Sequence, residues 1–251
     1  MIDRVVESMM HWYGLVAGAS EGARALERDG VLAAIVPAAP ERAVVNGVLF
    51  RTAEGLESAY DDVAAAYAEI GAKWTVWVPP GGEGDSAARF LESRGHALDA
   101  QPMAMIHHLD GVTRPSAEEL PEWTGEGDGS QVGPINDRAY TFGTDSFTRA
   151  LTRLPHETHI YVASDAGQPV GCLTMTDHEG NSEVDMVAVV PEARGRGITM
   201  KLLRHALADA ADRGNETSTL VATTMGLPSY ERVGFRPLER MSMWEAAAPT
   251  A

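Results

Sequence analysis

Cysteine is almost missing from this chain: Cys172 is the one cysteine in 251 residues. No internal disulfide can form, and a reducing compartment is the simplest setting. Long apolar runs are missing too, since no stretch of about 18 apolar residues occurs, which excludes a membrane-spanning helix. Met9 to Ala19 has the apolar look of an export signal, but Asp3 and Glu7 precede it with Arg4 the only cation nearby. That is the wrong flank for secretion. The stretch reads as the apolar side of an N-terminal helix, and a cytoplasmic protein is expected. Positive charge is scarce as well: 20 Lys+Arg stand against 36 Asp+Glu, a formal net charge of −16. The acidity lies in both halves, with 9 basic and 16 acidic residues in 1–115 and 11 and 20 in 116–251. Such a surface repels polyphosphate and anionic lipid, so no nucleic acid and no membrane is expected as a partner. A cationic small molecule or basic peptide would be drawn in. Aromatics make up only 6% of the residues, but a hydrophobic fraction of 44% with 22% charged is that of a globular core.

Gly111 to Pro134 is where composition shifts. Pro115 and Pro121 are followed by Gly125, Gly127, Gly129 and Gly133, and 116–133 reads as a linker between residues 1–115 and 134–251. In the second part, apolar residues between Asn136 and Leu154 predict one or two helices. Ile160 to Ser164 and Val170 to Thr176 predict a hairpin, and Val184 to Val190 a strand buried on both faces. From Gly197 the spacing turns helical: Ile198, Leu202, Leu203, Ala206, Leu207 and Ala210 share one face up to Gly214. Thr219 to Ala222 is a further strand, Pro228 to Val233 a short helix, and Phe235 to Trp244 a last strand. The plan is α+β, a mixed central sheet flanked by helices. In the first part, Trp74 to Val78 reads as a strand, Ala87 to Arg94 as a helix and Pro102 to Leu109 as a strand. Leu91 to His96 can be laid on Tyr230 to Phe235, with Met105 and Met243 in the strands that follow. This is a faint internal repeat, consistent with a duplicated fold.

The chemistry concentrates in Val187 to Thr199, where a buried strand runs into Arg194-Gly195-Arg196-Gly197 and then a helix. Glycines let backbone amides approach a ligand unobstructed. The first helical turn offers unpaired amides at the positive end of a dipole, a setting suited to a diphosphate. Arg194 and Arg196 add charge. The segment resembles the acetyl-CoA loop of the GNAT acyltransferase superfamily, Arg/Gln-x-x-Gly-x-Gly/Ala. Arg194, Gly197 and Thr199 occupy its fixed positions, Thr199 departing from the small residue. Tyr230-Glu231-Arg232-Val233-Gly234-Phe235 resembles the family's closing Tyr-Glu-x-x-Gly-Phe. The resemblance covers roughly residues 134–245.

That resemblance implies a GNAT-like fold, as two halves in tandem, the first degenerate and without a cofactor loop. It further implies acetyl-CoA as co-substrate, held by the backbone of Val187, Ala188 and Val189 and by the loop Arg194, Gly195, Arg196, Gly197, Ile198 and Thr199. Thr223, standing where many members carry asparagine, would face the pantetheine, and Ser229 and Arg232 the phosphates. Tyr230 would protonate the leaving thiolate. Transfer to an amine requires a base. Glu183 occupies the position where several members carry a catalytic glutamate, Asp185 shares its strand face, and a water chain is the alternative. The expected activity is N-acetyl transfer to a small molecule or peptide amine in a ternary complex. A non-catalytic acyl-CoA-binding module and a protein N-terminal acetyltransferase are the alternatives, and a homodimer is left open. His156-Glu157-Thr158-His159 lacks zinc-helix spacing, so no metal is expected. Cys172 reads as strand packing. Trp123, Tyr140, Phe142 and Phe147 are candidates for the acceptor cleft or the core.

Overall fold

The computed structural model describes residues 1–116, 123–124, 127–140 and 144–246. The first part runs α1 (Ile2–Val16), β1 (Arg24–Arg28), β2 (Val31–Ile35), β3 (Gly47–Phe50), α2 (Ala53–Glu69), β4 (Thr75–Val78), α3 (Gly82–Ser93), β5 (Ala97–Ala100) and β6 (Met103–His108). The second runs β7 (Trp123–Thr124), α4 (Gly129–Tyr140), α5 (Ser146–Ala150), β8 (Thr158–Asp165), β9 (Gln168–His178) and β10 (Asn181–Val189). It continues with α6 (Ile198–Asp212), β11 (Thr217–Ala222), α7 (Leu227–Val233), β12 (Arg236–Arg240) and β13 (Ser242–Glu245).

Local chemistry sets the hairpins. Asp29-Gly30, Ala166-Gly167 and Glu179-Gly180 each place two consecutive residues at positive φ, the pairing whose twist matches antiparallel strands. In α1 the buried stripe Val5, Met9, Trp12 and Val16 recurs at helical spacing. It packs into a core shared with both sheets. A second core fills the space between α2, α3 and strands β2 to β4.

The two sheets have one order. The first is β1-β2-β3-β4-β13-β5 and the second β8-β9-β10-β11-β6-β12, with β7 added at the outer edge of β8. In each, a parallel pair (β3 with β4, β10 with β11) sits inside an otherwise antiparallel array. The fold class is the expected mixed α+β arrangement, in two similarly built halves. The repeat is real at the level of topology, and the strands carrying Met105 and Met243 are its exchanged members. β6 leaves the first half to pair with β11 and β12, and β13 leaves the second to pair with β4 and β5.

Several expectations are corrected here. The boundaries at 115 and 134 mark neither sheet's edge, because each sheet borrows an interior strand from the other side. The expected single strand from Phe235 to Trp244 is two strands, since buried Met241 turns the chain from one sheet to the other. The segment 116–133 is not all linker: α4 begins at Gly129, where Asp128 Oδ1 accepts from the Ser130 amide at 3.0 Å. Gly133 is there for close contact, since a Cβ would lie 2.5 Å from Thr148 Cα. Its absence lets α4 and α5 touch. Phe142 and most of 117–126 lie outside the described residues.

Candidate active site

β10 organises the site. It pairs in parallel with β11 only from Asn181 to Glu183, then departs from it. Its register with β9 slips between Asp185 and Ala188, and Met186 takes φ +50° within this bulge. A bulge bends its strand and re-aims the residues around it. Here β10 and β11 part after Glu183, leaving a gap between them.

A buried polar knot holds the bulge. Asn136 Nδ2 donates to Val132 O at 2.9 Å and to Met186 O at 3.2 Å. Cys172 Sγ also donates to Met186 O at 3.4 Å, while the Ala188 amide bonds the Cys172 sulfur. Burial pushes the Cys172 thiol up to about 12, so it stays protonated and unreactive. Cys172 is therefore part of the strand's positioning rather than plain packing. Sequence reading passed over Asn136, whose role depends on a carbonyl fifty residues away. The knot also alters the backbone assignment. Val190 donates to Val170 O on β9, so alternation turns the Val187 and Val189 amides toward the gap. Ala188 is turned away from it.

The two acidic residues share the strand face but differ in surroundings. Glu183 is 1% exposed and accepts a short hydrogen bond from Thr219. Thr219 in turn accepts from Asn181 at 2.6 Å, and Asn181 also donates to Ser8 of α1 at 2.9 Å. Burial, then the neighbouring Asp185, hold the Glu183 carboxyl well above the usual range. Asp185 Oδ2 is buried with no hydrogen-bond partner, and burial lifts this carboxyl to about 7. Both line a cavity of about 680 Å³ between the two halves.

Tyr230 enters the same cavity from α7, with its ring edge-on to Phe235 at 6.1 Å. Burial raises its hydroxyl above the ordinary tyrosine range, and Tyr140 and Asp185 add to the shift. A raised hydroxyl stays protonated and can donate. Tyr140 and Phe147 also line the cavity, Tyr140 donating to Val187 O at 3.0 Å. The side chain of Trp123 lies outside the described residues.

Beyond the gap the chain makes an open turn. Gly195 and Gly197 have φ +77° and +72°, and nothing lies within 4 Å of a Cβ built at Gly195. Gly197 precedes α6 with no side-chain cap, so Ile198 and Thr199 present first-turn amides. Residues 193–208 hold Arg194, Arg196, Lys201 and Arg204 and no acidic residue, a local reversal of the chain's sign. The arginine side chains are placed otherwise than expected. Arg194 ties the turn down, donating to Val189 O at 3.2 Å and to Ala139 O. Arg196 pairs with Asp165 at 2.5 Å. The loop's own folding engages both guanidiniums, and the backbone amides of the turn are what it leaves facing outward.

The remaining expected contacts are scattered. Thr223 is exposed, lines the cavity, and accepts from the Gly226 amide at 3.3 Å at the start of α7. Ser229 is half-buried and Arg232 exposed, both on α7. No group of three or more His, Cys, Asp or Glu able to hold a metal occurs among the described residues. No helix among them is long and apolar enough to cross a membrane.

Residues 156–237 match the family model for an acetyltransferase (GNAT) domain. Solved structures of like fold span nearly the whole chain. A GCN5-related N-acetyltransferase from Kribbella flavida is 15% identical, with 99% of this chain and 95% of that one covered at a TM-score of 0.66. A GCN5-related N-acetyltransferase from Sphaerobacter thermophilus is 21% identical, covering 86% and 76% at 0.55. A tandem GNAT protein from the clavulanic acid biosynthesis pathway is 14% identical, covering 99% and 96% at 0.55. No match was found among curated proteins.

Proposed function

We propose that this chain, whose residues 156–237 match the family model for an acetyltransferase (GNAT) domain, transfers acetyl from acetyl-CoA directly to the amine of a small molecule. One observation carries the reading. A single strand leads from an ionisable buried carboxyl, past a gap in the sheet, into an open glycine turn at an uncapped helix start. This fits acetyl-CoA along its length. The amides of Gly195 to Thr199 would hold the diphosphate, and the gap would take the pantetheine as an added strand against Val187 and Val189. An amide aimed at the thioester oxygen favours the negative charge that grows there.

Asp185 is the base in this reading. Its unpartnered oxygen accepts a proton from the bound ammonium, leaving a neutral nitrogen whose lone pair forms the new C–N bond. The C–S bond breaks, Tyr230 gives its proton to the departing thiolate, and the nitrogen's second proton restores Tyr230 directly or through water. The products are an amide, free CoA and one proton, which Asp185 returns to solvent. Glu183, held protonated by burial and by its acidic neighbour despite the hydrogen bond that Thr219 donates to it, keeps a second negative charge away from Asp185 near neutral pH.

The test joins calorimetric titration of the full chain with acetyl-CoA to a thiol-release assay with an amine panel. Binding together with amine-dependent thiol release is expected. Binding without release by any amine would favour a non-catalytic acyl-CoA module.

A further inference from the structure

We infer that the acceptor is a compact hydrophobic amine of the arylalkylamine type, without a carboxylate beside its nitrogen, and that the N-terminal half supplies the wall that selects it. This rests on the transferase reading and names its substrate class.

The cavity holding Asp185 and Tyr230 is also lined by residues from the first half, Trp12 and Tyr13 of α1 and Trp77 of β4. All three are nearly buried, at 5%, 4% and 8% exposure. Two of them have spent their polar tips on the protein. Trp77 Nε1 donates to Tyr13 Oη at 2.8 Å, and Tyr13 Oη donates to Val44 O at 2.6 Å. What this pair offers a ligand is ring surface. A polar or charged substituent pressed against it would lose water and find no replacement. The Tyr13 ring also packs directly on Gly47, where a Cβ would lie 2.3 Å from it.

Asp185 stands close enough to this wall for its charge to bear on Tyr13 as well as on Tyr230, in each case behind the larger effect of burial. Asp185, Tyr13 and Trp77 line one cavity, so an amine meeting Asp185 there has these rings within the same space for its carbon skeleton. On β10 the cavity is lined by Asp185, whose Oδ2 has no hydrogen-bond partner, and by Glu183, which is engaged by Thr219. The cations lining the cavity among the described residues are Arg42 and Lys73, both from the first half. Arg42 is bonded to Ser146 at 3.1 Å and lies over the Phe147 ring at 5.7 Å, while Lys73 is exposed. An α-carboxylate would thus be brought against the ionised Asp185. The same amine without it meets a hydrogen-bond acceptor and aromatic rings.

The experiment uses the full chain, acetyl-CoA and four acceptors: 2-phenylethylamine, phenylalanine, spermidine and a peptide with a free N-terminus. Phenylethylamine should exceed phenylalanine in kcat/KM by about 10²-fold, the scale of leaving one buried charge without a partner. Trp77→Leu should raise its KM by roughly tenfold, the upper range for losing an aromatic contact, with acetyl-CoA affinity unchanged. Trp77→Phe, which keeps a ring, should lose less and guards against a folding artefact. Preference for phenylalanine, spermidine or the peptide, with acetyl-CoA still bound, would overturn the acceptor inference and leave the transferase reading standing. Failure to bind acetyl-CoA, read separately by calorimetry, would bring down the transferase reading itself and the acceptor class with it.

Discussion

The two halves put the same secondary structure at the strand-to-helix junction and finish it in opposite ways. In the second half eight residues, Val190 to Gly197, separate β10 from α6, and the helix starts on a left-handed glycine without a side-chain cap. In the first half only Arg51 and Thr52 separate β3 from α2. There Thr52 Oγ1 accepts from the Gly55 amide at 3.1 Å, and Glu83 Oε2 accepts from the Ala53 amide at 2.6 Å. A carboxylate of the protein already sits where an anion would bind a helix start. The strand before the junction differs too, since β10 carries the Met186 bulge and the four-residue β3 has no positive-φ residue. One topology thus yields an open, uncapped helix start where caps are withheld, and a closed structural joint where they are supplied.

The largest effect should come from cutting the comparison in two. Residues 1–115 alone lack β13 and leave β6 without its partners β11 and β12, so no cooperative thermal transition is expected by circular dichroism. A sharp melt would mean that the exchanged strands are dispensable. Next in size are the groups that only the second half carries. Asp185→Asn and Tyr230→Phe should each lower kcat by about 10²–10⁴, the range for a positioned acid or base. Because Asp185 must be ionised to accept a proton, kcat/KM should rise as pH passes about 7. The Asn variant should lose that limb, and Glu183→Gln should keep it. A profile unchanged in Asp185→Asn would remove Asp185 as the base.

The junctions themselves come third. Gly197→Asp puts a carboxylate at the open turn and should weaken acetyl-CoA binding by about 10²-fold, as lost charge-assisted bonds would. Glu83→Ala at the closed junction should leave that affinity alone and lower stability by about 1 kcal/mol, the worth of a helix cap. Equal affinity losses in calorimetry would erase the distinction between the halves. Smallest is the bulge. Asn136→Ala should reduce kcat by roughly tenfold with little change in acetyl-CoA affinity, since a backbone donor moves while the binding turn stays. A loss confined to melting temperature would show Asn136 to be structural alone.

The parts legible beforehand were those written in neighbouring residues. The turn at Gly195 and Gly197, the apolar face of α6 and Gly234 closing α7 each depend on a few consecutive side chains and their φ preferences. Other parts resisted for identifiable reasons. Gly133 carried the signal of a flexible linker, yet its missing Cβ serves a helix contact with Thr148. Met186 adopts positive φ without being glycine, which no pattern announces. Glu183 and Asp185 look alike by strand alternation. What separates them is Thr219, on a neighbouring strand.

The sequence by itself therefore determined the local pieces: the glycine turn, the helix it starts, the strand before it and the acidic pair on one face. These follow from backbone preference and from the periods of strand and helix. Only the tertiary structure decided which piece joins which. It placed β6 and β13 in each other's sheets, turned Arg194 onto backbone carbonyls, and lined the cavity with Tyr13 and Trp77 from the other half. Such choices rest on hydrogen bonds and burial between residues far apart in the chain, and no short window of sequence contains both partners.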